Sequence, residues 1–275
     1  LRAVWVAGND VLAAGDGGVL LHYNLPAAKL ETAPSGTLKN LRAVWGTARD
    51  DVWATGEPQG TVSTVLHRDG TRWQPQAVPA LRFVQLTWVA GVSVDRSTLY
   101  AASGSDGSLV TMAGGGWSLL PSQGEMFGCG VLAGMAGVPG GDVWAVGASC
   151  AMRLRGGSWE GIAPAPSSAL TAVWGSGAQD VWAVGVGGTL YHWDGSRGVE
   201  WAPKPTTQTL RSVWGSAADD IWAVGAGDTI LHYDGRTWEA RRSGGRGVTR
   251  NGVWGSGRDD VWIVGQNGTL LRWRP

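Results

Sequence analysis

No run of about 18 apolar residues occurs anywhere in the sequence, so no segment has the length of a membrane-spanning helix. Charge of one sign is missing as well: Lys plus Arg number 22 and Asp plus Glu number 22. With no cationic excess to displace counterions from a phosphate backbone, nucleic-acid binding loses its usual basis. Charged residues make up only 16% of the chain, and no window sustains a 3.6-residue apolar period, which excludes a helical solenoid. Enzyme motifs are absent too. There is no Gly-x-Ser-x-Gly elbow, no His-Glu-x-x-His helix and no phosphate-binding loop, and spacing picks out no arginine cluster with a nucleophilic Tyr and convergent acids. The chain therefore reads as non-catalytic, with no cofactor and no metal.

What is present is one sentence repeated. "LRAVWVAGNDVLAAGDGGVLLHYN" opens the chain, "LRAVWGTARDDVWATG" follows at Leu41, and "LTAVWGSGAQDVWAVGVGGTLYHWDG" begins at Leu170. "LRSVWGSAADDIWAVGAGDTILHYDG" begins at Leu210 and "NGVWGSGRDDVWIVGQNGTLLRWRP" closes the chain, while units near Val84 and Leu132 are degenerate. Anchoring on Trp5, Trp45, Trp88, Ala136, Trp174, Trp214 and Trp254 gives spacings of 40, 43, 48, 38, 40 and 40. Seven units of this period, starting near residues 1, 41, 84, 132, 170, 210 and 250, belong to a propeller or a solenoid. Each unit holds four short apolar runs separated by Gly, Asp, Ser or Asn, the pattern of antiparallel strands joined by tight turns. Four strands per repeat make one blade. The expected fold is all-β: a seven-bladed β-propeller of four-stranded antiparallel blades, forming one domain over 1–275. The last unit prints only three strands, so its blade is expected to be completed by residues ahead of Leu1 or to leave an edge that a partner could use. The missing initial Met and the start inside a first strand leave room for a removed signal peptide, lipid anchor or upstream strand.

The 45 Gly and 18 Trp follow from this arrangement. Blades are covered on both faces, and large flat side chains fill the wedge between twisted sheets. Trp53, Trp144, Trp182, Trp222 and Trp262 fall on second strands, and Trp73, Trp117, Trp159, Trp201 and Trp238 on fourth strands. The pairs Asp50 and Asp51, Asp219 and Asp220, and Asp259 and Asp260 recur between first and second strands, where they are expected to accept hydrogen bonds from turn N–H groups. Asp69-Gly70, Asp194-Gly195 and Asp234-Gly235 read as hairpin turns between third and fourth strands. His22, His67, His192 and His232 share one third-strand position in separate blades, which argues against a chelating pair.

"HYDGRTW" and "HRDGTRW" resemble a degenerate Asp-box, the Ser-x-Asp-x-Gly-x-x-Trp turn of sialidase-like propellers. The whole unit is similar to the tectonin repeats of lectin-like propellers and to the Trp-rich "VWGSG..DVWAVG" repeats of secreted and envelope-associated bacterial proteins. These resemblances imply a propeller, and they suggest sugar binding as one role.

Cys129 precedes the first strand of the fourth unit and Cys150 lies in the turn between its second and third strands. Antiparallel order puts both on one face of one blade, so a disulfide is expected, suiting an extracellular, periplasmic or cell-envelope protein. Connections from fourth to first strands and from second to third strands emerge on one face, and the departures from the repeat gather there. Glu57, Gln59, Arg82, Phe83, Glu125, Met126 and Phe127 are the candidates for docking a protein partner within an exported assembly. The alternative is a lectin, with Tyr23, Trp193, Tyr233 and Trp273 as sugar platforms. A glycoside-active enzyme is the third reading and is rejected.

Overall fold

β-Branched and aromatic runs bounded by Gly and Asp form strands because their side chains cover a pleated, half-buried surface, while the punctuating residues supply the turns. The computed structural model describes residues 1–59, 62–78, 86–91, 98–103, 109–113, 116–120, 131–148, 150–241 and 247–274. Their strands form seven separate antiparallel sheets, six of four strands and one of three. Blade 1 comprises Ala3–Ala7, Asp10–Ala14, Leu20–Asn24 and Lys29–Ala33. Blade 2 comprises Leu41–Ala48, Asp51–Gln59, Val62–Arg68 and Trp73–Pro75. Blades 3 and 4 run from Leu86–Gly91 to Gly116–Leu120 and from Leu132–Gly137 to Ser158–Gly161. Blade 5 comprises Leu170–Gly177, Asp180–Gly185, Leu190–Trp193 and Gly198–Glu200, and blade 6 comprises Leu210–Ala217, Asp220–Gly225, Ile230–Tyr233 and Trp238–Ala240. Blade 7 has Arg250–Gly257, Asp260–Gly265 and Leu270–Trp273.

First strands line the axis and pack on one another in sequence around the ring, and the first strand of blade 7 packs on that of blade 1. Closure is also polar: the Leu1 amino group donates to Gly265 O at 3.0 Å, and Asn251 Nδ2 donates to Leu1 O at 2.8 Å. The expected seven-bladed ring is thus present, including the three-stranded seam sheet.

Tryptophan fills the space between blades. Trp144, Trp182 and Trp222, on second strands, are among the largest fully buried side chains. At roughly 25 cal/mol per Å2 over the 150–250 Å2 of such a side chain, each contributes on the order of 4 kcal/mol of transfer free energy. First-strand tryptophans lean onto the next blade. A β-carbon at Gly215 would stand 2.6 Å from the Trp174 ring, and one at Gly255 would stand 2.5 Å from the Trp214 ring. Gly46, Gly215 and Gly255, each following "VW", are therefore the seats of the preceding blade's indole, while at Gly175, which follows the blade with Ala136 in that place, Val138 stands instead.

The turns divide into two kinds. Asp69, Asp194 and Asp234 accept backbone N–H groups two and three residues on, as expected; Asp234 Oδ1, for example, takes Arg236 N and Thr237 N at 2.8 Å each. The following Gly235 has φ 90°, a left-handed conformation natural to glycine. The paired aspartates behave differently from expectation. Asp51, Asp220 and Asp260 face inward, and side chains occupy them: Ser or Thr hydroxyls from the first strand and a His or Arg from the third. A position between two strands, buried at Asp220 and half-buried at Asp51 and Asp260, offers these carboxylates side-chain donors that the turn backbone does not.

Candidate functional site

The inward aspartates of blades 2, 5, 6 and 7 each build one cluster. In blade 5, Ser176 Oγ donates to Asp180, Trp182 Nε1 donates to its Oδ1 at 3.1 Å, and His192 Nε2 stands 2.7 Å from the same atom. Blade 2 repeats this with Thr47, Asp51, Trp53 and His67, and blade 7 with Ser256, Asp260, Trp262 and Arg272 in place of histidine. His67 and His192 also stack on Trp53 and Trp182, with centroids 4.2 and 4.1 Å apart. Burial pushes the Asp51 and Asp180 carboxyls upward, but these hydrogen bonds outweigh it and hold both below the usual 3.8. A cluster repeated in four or more blades, with its donors already bonded, joins three strands of a sheet. Among the described residues no three His, Cys, Asp or Glu side chains gather as a metal site.

The third-strand aromatics face the neighbouring blade. Trp193 is buried beside Trp144, with centroids 5.8 Å apart, Arg153 over its ring and its Nε1 donating to Ala178 O. Tyr23 meets Trp262 at 5.6 Å, and Tyr233 meets Trp182 at 5.1 Å. Trp273 meets Trp222 at 5.3 Å, yet it is 38% exposed because no fourth strand stands beside it among the described residues. Of the four, Trp273 offers the most open ring.

The face carrying the fourth-to-first and second-to-third connections differs from the opposite one. Leu38 is 88% exposed there, and Val19, Val131 and Val186 are exposed on the same face. The other exposed large apolar side chains, Leu30, Val199 and Trp273, lie on outer strands, and none lies in the turns of the opposite face among the described residues. Beside Leu38 a groove of about 800 Å3 separates blades 1 and 2, lined by Val19, Leu20, Ser35, Thr37, Lys39 and Gln59 among others. Its walls are tied together: Asn40 Oδ1 accepts Gly17 N at 2.9 Å, and Thr37 Oγ1 donates to Gln59 Oε1 at 3.4 Å. Glu57 adjoins it and accepts from Asn40 Nδ2 at 3.0 Å and from Arg42. These two contacts hold its carboxyl below the ordinary value.

The structure thus places Glu57 and Gln59 together at this groove. Arg82, Phe83, Glu125, Met126 and Phe127 lie outside the described residues, as does Cys129, so its pairing with the buried Cys150 does too. Sequence reading passed over Leu38 and Val19. The signal available was an apolar residue inside "SGTLKN" and "DGGVL", where the turn chemistry alone would take polar ones.

At the centre, the first strands enclose a channel of about 440 Å3 lined by Trp45, Trp174, Trp214, Trp254, Met135 and Arg2 among others.

No family model and no curated protein matches the chain. Solved structures do match in fold. YCF48 from Cyanidioschyzon merolae superposes with a TM-score of 0.78 at 16% identity, covering 100% of this chain and 95% of that one. YCF48 bound to D1 peptide gives 0.75 at 16% identity, covering 100% and 92%. The WD40 β-propeller domain of Doa1 gives 0.74 at 9% identity, covering 99% and 91%. At these identities the likeness is one of fold, and the chain is a seven-bladed β-propeller built like theirs.

Proposed function

We propose that this propeller is a non-catalytic protein-docking module, and that its partner seats on the face bearing the groove between blades 1 and 2. The observation that carries this reading is the gathering of exposed apolar side chains, Leu38 foremost, on one face of a ring whose other tryptophan-rich surfaces are turned inward. Such a rim of apolar and polar groups on a rigid scaffold suits a protein surface. A peptide-bound structure among the fold's relatives supports the same reading. Glu57 and Gln59 belong to this footprint, and Arg82, Phe83, Glu125, Met126 and Phe127 extend it on the sequence reading. An exported setting in the cell envelope goes with it; peptide mapping without reductant that finds Cys129 and Cys150 as separate thiols would remove that support.

The test is a titration of the captured partner against the wild type and Leu38→Asp. Loss of about tenfold or more in affinity is expected for a central apolar contact. Unchanged affinity for Leu38→Asp refutes the placement. The resemblance to tectonin repeats keeps a lectin as the second reading, favoured by the open ring of Trp273. Saturable glycan binding that Trp273→Ala abolishes would install it instead.

A further inference from the structure

The first strands of blades 2, 4, 5, 6 and 7 share an irregularity. Pairing with the second strand skips one residue near the start, at Arg42, Ala133, Thr171, Arg211 and Asn251. A bulge frees its residue from the ladder and re-aims the side chain, and these five residues stand at the starts of first strands, at the end of the central channel on the docking face. Arg2 holds the equivalent place in blade 1 and lines the channel together with Asn251. The strand around the bulge is nearly constant, whereas the bulge residue is not.

Two of these residues are structural. Thr171 Oγ1 donates to Leu210 O at 2.7 Å and Asn251 Nδ2 donates to Leu1 O, each tying its blade to the next. The arginines do something else. Blades 6, 7, 1 and 2 are consecutive around the closed ring, so Arg211, Arg2 and Arg42 form an arc over one side of the mouth. On the other side the described bulge residues are Ala133 and Thr171, without charge. Arg2 is held by Asp16 at 2.9 Å, and Arg42 by Glu57. Arg250 and Lys204, on the same face, pair with Asp228 and Glu200. Among the described residues every carboxylate of this face is thus matched, while exposed Arg211 and Lys39 have no carboxylate partner. On the opposite face Arg72, Arg197 and Arg236 are unpaired too among the described residues, but they stand in the hairpins of Asp69, Asp194 and Asp234, whereas on this face the described cations exceed the carboxylates and the two unmatched ones lie at the ends of one arc.

We propose that this arc selects an acidic, extended segment of the protein partner, running from the Lys39 groove across the channel mouth to Arg211. The inference rests on the docking reading above and specifies the partner's chemistry. Arg2 and Arg42, already oriented by Asp16 and Glu57, supply fixed N–H donors beside the path. Two unmatched cations suit a few Asp or Glu side chains. A polynucleotide draws its affinity from counterions released over many phosphate contacts, and two unmatched cations release few.

The test uses a fluorescein-labelled dodecapeptide of alternating Glu and Gly, titrated by anisotropy against the whole chain. Its Lys-Gly analogue and a single-stranded oligonucleotide of equal charge serve as comparison probes. The Glu-Gly probe is expected to bind in a salt-dependent way, and Arg211→Glu with Lys39→Glu to weaken it by about tenfold or more. Arg258→Glu, in an exposed pair on the opposite face, is expected to leave binding unchanged. An unaltered melting temperature shows that the variants are folded. Three results overturn the proposal: no binding of the Glu-Gly probe, equal loss in Arg258→Glu, or equal binding of the oligonucleotide. A natural partner that binds normally to Arg211→Glu but not to Leu38→Asp would also overturn it, and would leave the docking function standing.

Discussion

At the residue scale, two side chains set the terms: the glycine that accepts an indole and the aspartate that collects three donors. Gly215 shows the first. Its missing β-carbon is what lets Trp174 cross from blade 5 onto blade 6, since a methyl there would meet both the ring and Asp220 O at 2.8 Å. Gly215→Ala is predicted to destabilise the fold by about 1–3 kcal/mol, the usual cost of overpacking, read as a lower urea midpoint with unchanged slope. The aspartates give a pH dependence. Asp51 and Asp180 titrate below their unfolded value of 3.8, so their contribution is complete above that value and is lost as pH falls through the folded one. The urea midpoint is predicted to decline below about pH 4, and Asp51→Asn to make that decline shallower. A decline equally steep in Asp51→Asn would show that the cluster is not its source. The repeated "DDVW" made the position of these carboxylates legible in the sequence. Their bonds were not legible, because the hydroxyl and histidine that satisfy Asp180 come from Ser176 and His192 on two other strands.

At the element scale, the blade is the unit that sequence describes well. Alternation, Asp-Gly turns and the "VWGS" and "VWAVG" landmarks mark all four strands of blades 5 and 6 and the three of blade 7. What they leave out is the wrap between blades. Third-strand aromatics look free when one unit is read alone, yet Trp193 rests on Trp144 and Tyr233 on Trp182, each in the preceding blade. Trp193→Ala is therefore predicted to cost about 3–5 kcal/mol, as for a buried large-to-small change, whereas the half-open Trp273→Ala costs clearly less. Thermal melts of the two variants compare them directly. Equal losses would mean that the edge strand of blade 7 is as well covered as the interior of the ring. The bulge residues belong to this scale as well: "LRAVW", "LTAVW" and "LRSVW" look like one strand with a variable second position, and only the skipped pairing shows that this position leaves the ladder.

At the scale of the whole molecule, seven units that cannot bury their faces alone close into a ring, and closure divides the surface into two unlike faces. One carries hairpin turns whose aspartates are bonded to their own backbone. The other carries exposed Leu38, Val19, Val131 and Val186, the groove of blades 1 and 2, and the arginine arc. Which connections share a face was legible from strand order alone; that apolar exposure and a cationic excess meet there was not, since both depend on which side chains the ring leaves uncovered. The chain's three lysines make the central claim measurable, because Lys39 and Lys204 lie on the docking face and Lys29 lies on an outer strand. The most direct test is an amine cross-linking map of the complex with its partner. Cross-links through Lys39 and Lys204, with Lys29 silent, are the predicted result. Cross-links confined to Lys29 would place the partner on the rim and contradict the account.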